Sequence, residues 1–135
     1  EIPKRDWSSD VCSSDLYNNH LFHYLYLSND EELGRCLQIH SCADGESTFP
    51  LGASPVPVPA GPIYLRATFD LRALQFSWST DGTIFRDIGP ALDASILSDD
   101  FGDFWGFTGT FVALACQDLA GDRQAAVFDF LEIRN

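Results

Sequence analysis

The 135-residue sequence has no Met at any position, and its single Lys is Lys4. A chain without an initiator Met is expected to be a fragment or a processed product. No apolar run approaches the ~20 residues that a membrane-spanning helix requires, and the N-terminus lacks the apolar stretch of a secretory signal. Basic residues are scarce: 8 Lys and Arg stand against 20 Asp and Glu, a net charge of −12. Nucleic acid and anionic membrane surfaces attract Lys and Arg, so this balance argues against both and fits a neutral partner. The 4 Cys are too few for a disulfide framework in a chain this long. Cys36 and Cys42, if they share one extended strand, stand about 20 Å apart, beyond disulfide reach. No CxxC spacing or Cys/His cluster suggests zinc. The cysteines read instead as small buried hydrophobes. No segment carries a convincing helical rhythm.

What the chain does have is β-strand patterning. Hydrophobic residues make up 45% and Phe is abundant at 11, enough for one domain with a real core. LFHYLYL (21–27) reads as a strand, NDEELG (29–34) as a polar turn, and RCLQIHSC (35–42) as the returning strand. ADGE (43–46) is a further turn. The alternating prolines of FPLGASPVPVPAGP (49–62) restrict that segment to an edge or a connector. PIYLRATFD (62–70) alternates, with Ile63, Leu65, Ala67 and Phe69 on one face. In LRALQFSWST (71–80), Leu74, Phe76 and Trp78 share a face opposite Gln75, Ser77 and Ser79. The Asp81-Gly82 pair is the strongest hairpin signal, with TIFRDIG (83–89) returning. GPALDASILSDDFG (89–102) reads as a loop with one helical turn. WGFTGTFVALACQDL (105–119) reads as a long strand buried on both sides, and RQAAVFDFLEIRN (123–135) as the last strand. Short strands at this spacing predict an all-β fold, an antiparallel sandwich or barrel.

Four stretches, AGPIYLRATFD, LQFSWSTDGTIFRDIGPALDASILSD, GFTGTFVALACQDLAG and AVFDFLEIR, carry a resemblance through their order and spacing. Together they resemble the C-terminal β-sandwich of family 43 glycoside hydrolases of the β-xylosidase type, from about Tyr17 to the end. The resemblance implies a concanavalin-A-like jelly roll that packs on a five-bladed catalytic propeller. It also implies a bacterial parent enzyme that releases xylose or arabinose from xylan-derived oligosaccharides, with the cytoplasm favoured over secretion. The propeller and its three catalytic acids are absent from this sequence, and the sandwich is expected to be incomplete at its N-terminus. The implied role is to stabilise the propeller, wall part of the xylo-oligosaccharide pocket and assist homo-oligomerisation. No activity is expected of this chain alone. The alternative is an autonomous carbohydrate-binding module.

The segment RDWSSDVCSSDL (5–16) follows neither a strand nor a helix rhythm. It resembles the translation of a sequencing-adapter oligonucleotide; otherwise it is a disordered Ser/Asp linker. Residues 1–16 are therefore set apart as a leader, and 17–135 as the sandwich. Without the leader, 6 Arg face 16 acids, net −10, so the acidic character survives.

Glycoside hydrolysis needs two carboxylates about 5–10 Å apart across the sugar. Most of the acids here sit in turns, where Asp caps backbone amides, so no catalytic residue is assigned. His20, His23 and His40 show no Ser or Cys partner at a recognisable spacing and read as structural. STDGTIF (79–85) resembles an Asp-box hairpin, but a single copy reads as a plain turn. The resemblance carries one pocket residue over. Phe107, between two glycines in WGFTG, matches the loop Phe that walls the family's sugar pocket by packing and excluding water; Phe111 and an ordinary core role are the alternatives. Trp105 is a second substrate-binding candidate, by stacking on a sugar ring, whereas Trp78 belongs to the core. Asp129 shares a face with Val127, Leu131 and Ile133, where a carboxylate needs compensation. The resemblance offers a structural Ca²⁺ there; a hydrogen bond to backbone or a pairing with Arg is the alternative.

Overall fold

The computed structural model describes residues 20–98, 110–118, 121 and 125–135. The expected leader, 1–16, lies outside them, as do Trp105 and Phe107. The described strands are all antiparallel and form two sheets, and no α-helix occurs among the described residues.

The first sheet is built on a long hairpin. β1 (Phe22–Asp30) and β2 (Gly34–Ala43) pair over nine residues, from Phe22 opposite Cys42 to Asp30 opposite Gly34. The turn is held by Asp30, whose carboxylate accepts from the amides of Glu32 and Leu33 at 2.9 Å each. Those two hydrogen bonds favour the charged carboxylate, so its pKa falls. β3 (Glu46–Thr48) and the two-residue β4 (Val56–Pro57) share the other edge of β2, at opposite ends. The Pro-rich stretch is thus an edge, as its prolines require.

The second sheet has the order β5 (Tyr64–Asp70), β6 (Ala73–Ser79), β7 (Arg86–Asp93). A 3₁₀ turn, Ala94–Leu97, follows. The core lies between the sheets. Leu37 and Ile39 of β2 meet Leu74, Phe76 and Trp78 of β6, Ile88 of β7, and Val58 and Ala94. The alternation read from LQFSWS is therefore the packing face. Leu37 and Ile39 are completely buried, and burial of side chains this size contributes about 1.5–3 kcal/mol each.

β2 is buried on both faces from Cys36 to Cys42. Cys36 and Cys42 are buried thiols, not joined in a disulfide, as expected. The strand's outer face is covered by aromatic side chains. Phe22 and Tyr24 stack at 4.5 Å, and Phe49 lies parallel to the His40 ring at 4.7 Å.

Three expectations are corrected. Asp81-Gly82 does not make the tight hairpin, because β6 and β7 meet at Trp78 and Arg86 across a wider loop. The tight hairpin is made by Asp44-Gly45, with φ of 50° and 80° between paired Ala43 and Glu46. Two successive positive φ values fit a type I′ turn. Second, β7 runs on to Asp93, into the stretch expected to be a loop. Third, residues 110–118 and 125–135 are not strands. Phe111, Leu114, Val127, Phe130 and Ile133 are exposed, and so is Cys116. An apolar run becomes a strand only where a neighbour accepts its backbone hydrogen bonds, and no described strand pairs with either segment.

Candidate functional site

At one end of the sandwich, β1, β2 and β3 converge with β7 and the 3₁₀ turn around a groove of about 230 Å³. Its floor is apolar, from Ala43, Pro50, Leu92 and Ile96, and its polar lining comes from His23, Ser41, Glu46, Thr48 and Asp93. The β1–β2 register places His23 directly opposite Ser41. His23 Nδ1 lies 2.8 Å from Ser41 Oγ, and Nε2 lies 3.0 Å from the Asp93 carbonyl. A carbonyl only accepts, so Nε2 carries the proton and Nδ1 accepts from the Ser41 hydroxyl. Burial lowers the His23 pKa, opposed by its hydrogen bond to the Asp93 backbone and by the Asp93 charge.

A Ser hydroxyl within reach of an imidazole has the form of an activated nucleophile. The burial argues otherwise, since Ser41 is only 6% exposed. The imidazole is also held by the Asp93 backbone carbonyl rather than by a carboxylate, so the pair reads as a structural clamp. His40 also has a serine, with Nε2 3.0 Å from Ser47 Oγ. Neither pairing is visible as a sequence spacing. Both follow from register once the turns after Asp30 and at Asp44-Gly45 are fixed.

Two carboxylates serve the backbone, one beside the groove and one in a distant loop. Asp93 caps the 3₁₀ turn, its Oδ1 accepting from Ser95 N at 2.9 Å and from Ser95 Oγ at 2.6 Å. The side-chain and backbone donors of Ser95 hold its carboxyl below the usual range. In the β6–β7 loop, Asp81 Oδ1 accepts from Ile84 N, Thr83 N and Ser79 Oγ at 2.8–2.9 Å. These donors, those two amides first, pull its pKa down to about 2. The STDGTIF stretch is thus a self-satisfied loop.

Of the residues singled out in the sequence, Trp78 lies in the core and Asp129 is exposed, in a segment without strand pairing. Among the described residues, no group of three or more His, Cys, Asp and Glu stands together as metal ligands.

Residues 15–134 match the family model of the β-xylosidase C-terminal concanavalin A-like domain. The chain belongs to that family. As a β-xylosidase C-terminal domain it is similar to a putative β-xylosidase of Escherichia coli K12, 33% identical over 117 residues. That alignment takes in 84% of this chain and 22% of the relative. It is 37% identical over 128 residues to xylosidase/arabinosidase 43B of Humicola insolens, covering 87% of this chain and 23% of that protein. A crystal structure of xylan β-1,4-xylosidase from Bacillus halodurans C-125 superimposes with a TM-score of 0.71 at 33% identity, over 79% of this chain and 21% of that one. The chain spans less than a quarter of the length of these relatives. The family fixes the two described sheets as parts of a concanavalin A-like sandwich.

Proposed function

We propose that this domain is a non-catalytic accessory sandwich that packs on the catalytic portion of a β-xylosidase or α-L-arabinofuranosidase and supplies one wall of its sugar pocket. The observation that carries the reading is the family match, to a C-terminal domain whose relatives, named as xylosidases, continue for three quarters of their length outside the matched region. The local chemistry supports it. The described Asp side chains with resolved partners, Asp30, Asp81, Asp93 and Asp118, accept from turn or cap amides. Phe107 is the wall residue in this reading and Trp105 its neighbour. Their contribution is packing and exclusion of water beside the sugar, which sharpens the carboxylate chemistry of the partner domain without moving a proton.

The test pairs this chain with a relative's catalytic portion lacking its own C-terminal domain and follows hydrolysis of an aryl xyloside. Association with a gain in kcat/KM supports the reading, and Phe107→Ala should remove much of that gain. Turnover by the chain alone, or saturable binding of xylo-oligosaccharide to it alone, overturns the accessory reading in favour of an enzyme or an autonomous sugar-binding module.

A further inference from the structure

His40 is 4% exposed and sits in the middle of the outer face of β2. Phe49 stacks on one side of its ring at 4.7 Å, Phe22 meets it edge-on at 5.0 Å, and Tyr24 lies at 6.5 Å. Nε2 is bonded to Ser47 Oγ, while Nδ1 is buried without a hydrogen-bond partner. A neutral imidazole tolerates this, because the bare nitrogen is an under-used acceptor among apolar rings. An imidazolium does not: it places a second N–H and a full charge where no acceptor stands.

The titratable groups on the packed elements offer no relief. They are Tyr24 and Tyr26 on one face of β1, Cys36 and Cys42 on the same face of β2, Glu46 beside Ser47 on β3, and His20 against the Asp44-Gly45 turn. None accepts from Nδ1. Phe49 offers the face of its ring, and cation–π attraction of about 0.5–2 kcal/mol opposes the penalty. Burial pushes the His40 pKa down, in the same direction as the missing acceptor at Nδ1.

The element held by His40 is also a weakly anchored edge of its sheet. β3 has three residues, all exposed, and pairs with β2 at only three positions. We propose that His40 is an acid-responsive clasp: when its imidazole takes a second proton, β3 and the adjoining Phe49 leave the outer face of β2. Glu46, Thr48 and Pro50 line the terminal groove, so release of this segment removes one wall of that groove. The device is independent of the proposed accessory role.

The experiment is amide hydrogen exchange and imidazole titration by NMR on the whole chain, from about pH 7.5 to about pH 5, across the intrinsic range of His. Protection of Glu46, Ser47, Thr48 and Phe49, corrected for intrinsic exchange, should fall about tenfold for each unit of pKa difference. The β5–β6 amides should not follow. The His40 ring should titrate below 6.5, with the same midpoint as the loss of protection. His40→Phe keeps the stack and removes the titrating nitrogens; its protection should be flat across the range, although His20 and His23 remain. The clasp is overturned by pH-independent protection in the wild type, by a His40 midpoint at or above 6.5, or by persistence of the pH effect in His40→Phe. Should that variant not fold, the coincidence of the two wild-type midpoints decides alone.

Discussion

His23 ties the two sheets together: its Nε2 donates to the backbone carbonyl of Asp93, 70 residues away, at 3.0 Å. Its other ring nitrogen accepts from Ser41 on the neighbouring strand. One side chain therefore fixes the end of β1 against both β2 and the exit of β7, which is the geometry that frames the groove. Replacing His23 by Ala leaves the Ser41 hydroxyl and the Asp93 carbonyl without it. Loss of two such hydrogen bonds at a half-buried site costs about 1–3 kcal/mol. Urea unfolding at neutral pH measures this; a change within error would mean that water replaces the imidazole fully.

The same residue gives a pH dependence. Its folded pKa lies below the unfolded value of 6.5, so the unfolded chain binds protons more readily. Stability then rises with pH; the contribution is complete above 6.5 and is lost as the pH falls towards the folded pKa. His40 acts in the same direction. Melting temperatures should drop as pH is lowered from neutral into the acid range, and the His23→Gln, His40→Phe double variant should lose most of that slope. An unchanged slope in the double variant would place the effect elsewhere.

The fold's local logic was legible where a residue type dictates a conformation. The alternation in LQFSWS gave the packing face, and the prolines placed an edge. The less legible features depend on partners. Two Asp-Gly pairs look alike in sequence, yet only Asp44-Gly45 forms the tight turn. At Asp81-Gly82, the Ser79 hydroxyl accepts from the amides of Asp81 and Gly82 while Asp81 gathers Thr83 and Ile84, and that network holds a wider loop open. The His23–Ser41 clamp needs a register, which no single spacing encodes. The 110–118 and 125–135 segments have strand-like composition, but composition does not supply a strand to pair with. Phe107 rests on the family resemblance and Trp105 on the stacking chemistry of its ring, and Asp129 lacks the buried apolar surroundings that drew attention to it.

Asp81 should matter to the loop in proportion to its charge. Its carboxyl pKa, drawn down to about 2, means that the loop hydrogen bonds favour the ionised form. That contribution is present above the unfolded value of 3.8 and is lost as the pH falls through about 2. Asp81→Ala should lower the melting temperature at neutral pH and flatten the acid limb of the stability profile below about pH 4. A variant with an unchanged acid limb would show that the loop amides are equally well satisfied by water.

Gly89 has φ +69, and a Cβ there would stand 2.7 Å from Ile39 Cδ1 and 3.2 Å from Leu51 Cδ2. Ile39 is completely buried in the core and Leu51 packs against it, so neither gives way freely. Gly89→Ala combines backbone strain with overpacking at the contact between the sheets, and should destabilise by roughly 2–4 kcal/mol. Ile39→Val, which shortens the side chain at the clash, should recover part of that loss in the double variant. Independent, additive effects of the two substitutions would refute the contact between them.

Leu71 points the other way, towards gain. It is the first of two residues joining β5 to β6, has φ +53, and is 97% exposed. A branched apolar side chain in the left-handed region is strained, and here its exposure offers no packing in return. Leu71→Asn keeps a side chain that tolerates this conformation, and Leu71→Gly removes the steric cause altogether. Either should stabilise by about 0.5–1 kcal/mol, with Gly set back by its greater freedom in the unfolded chain. Both should also reduce the exposed apolar surface beside Phe69, itself 48% exposed. Urea midpoints for the two variants check the sign. A loss of stability in both would mean that Leu71 makes a contact in solution that its exposure does not reveal, and a gain in Asn alone would isolate the unfolded-chain entropy of Gly as the deciding effect.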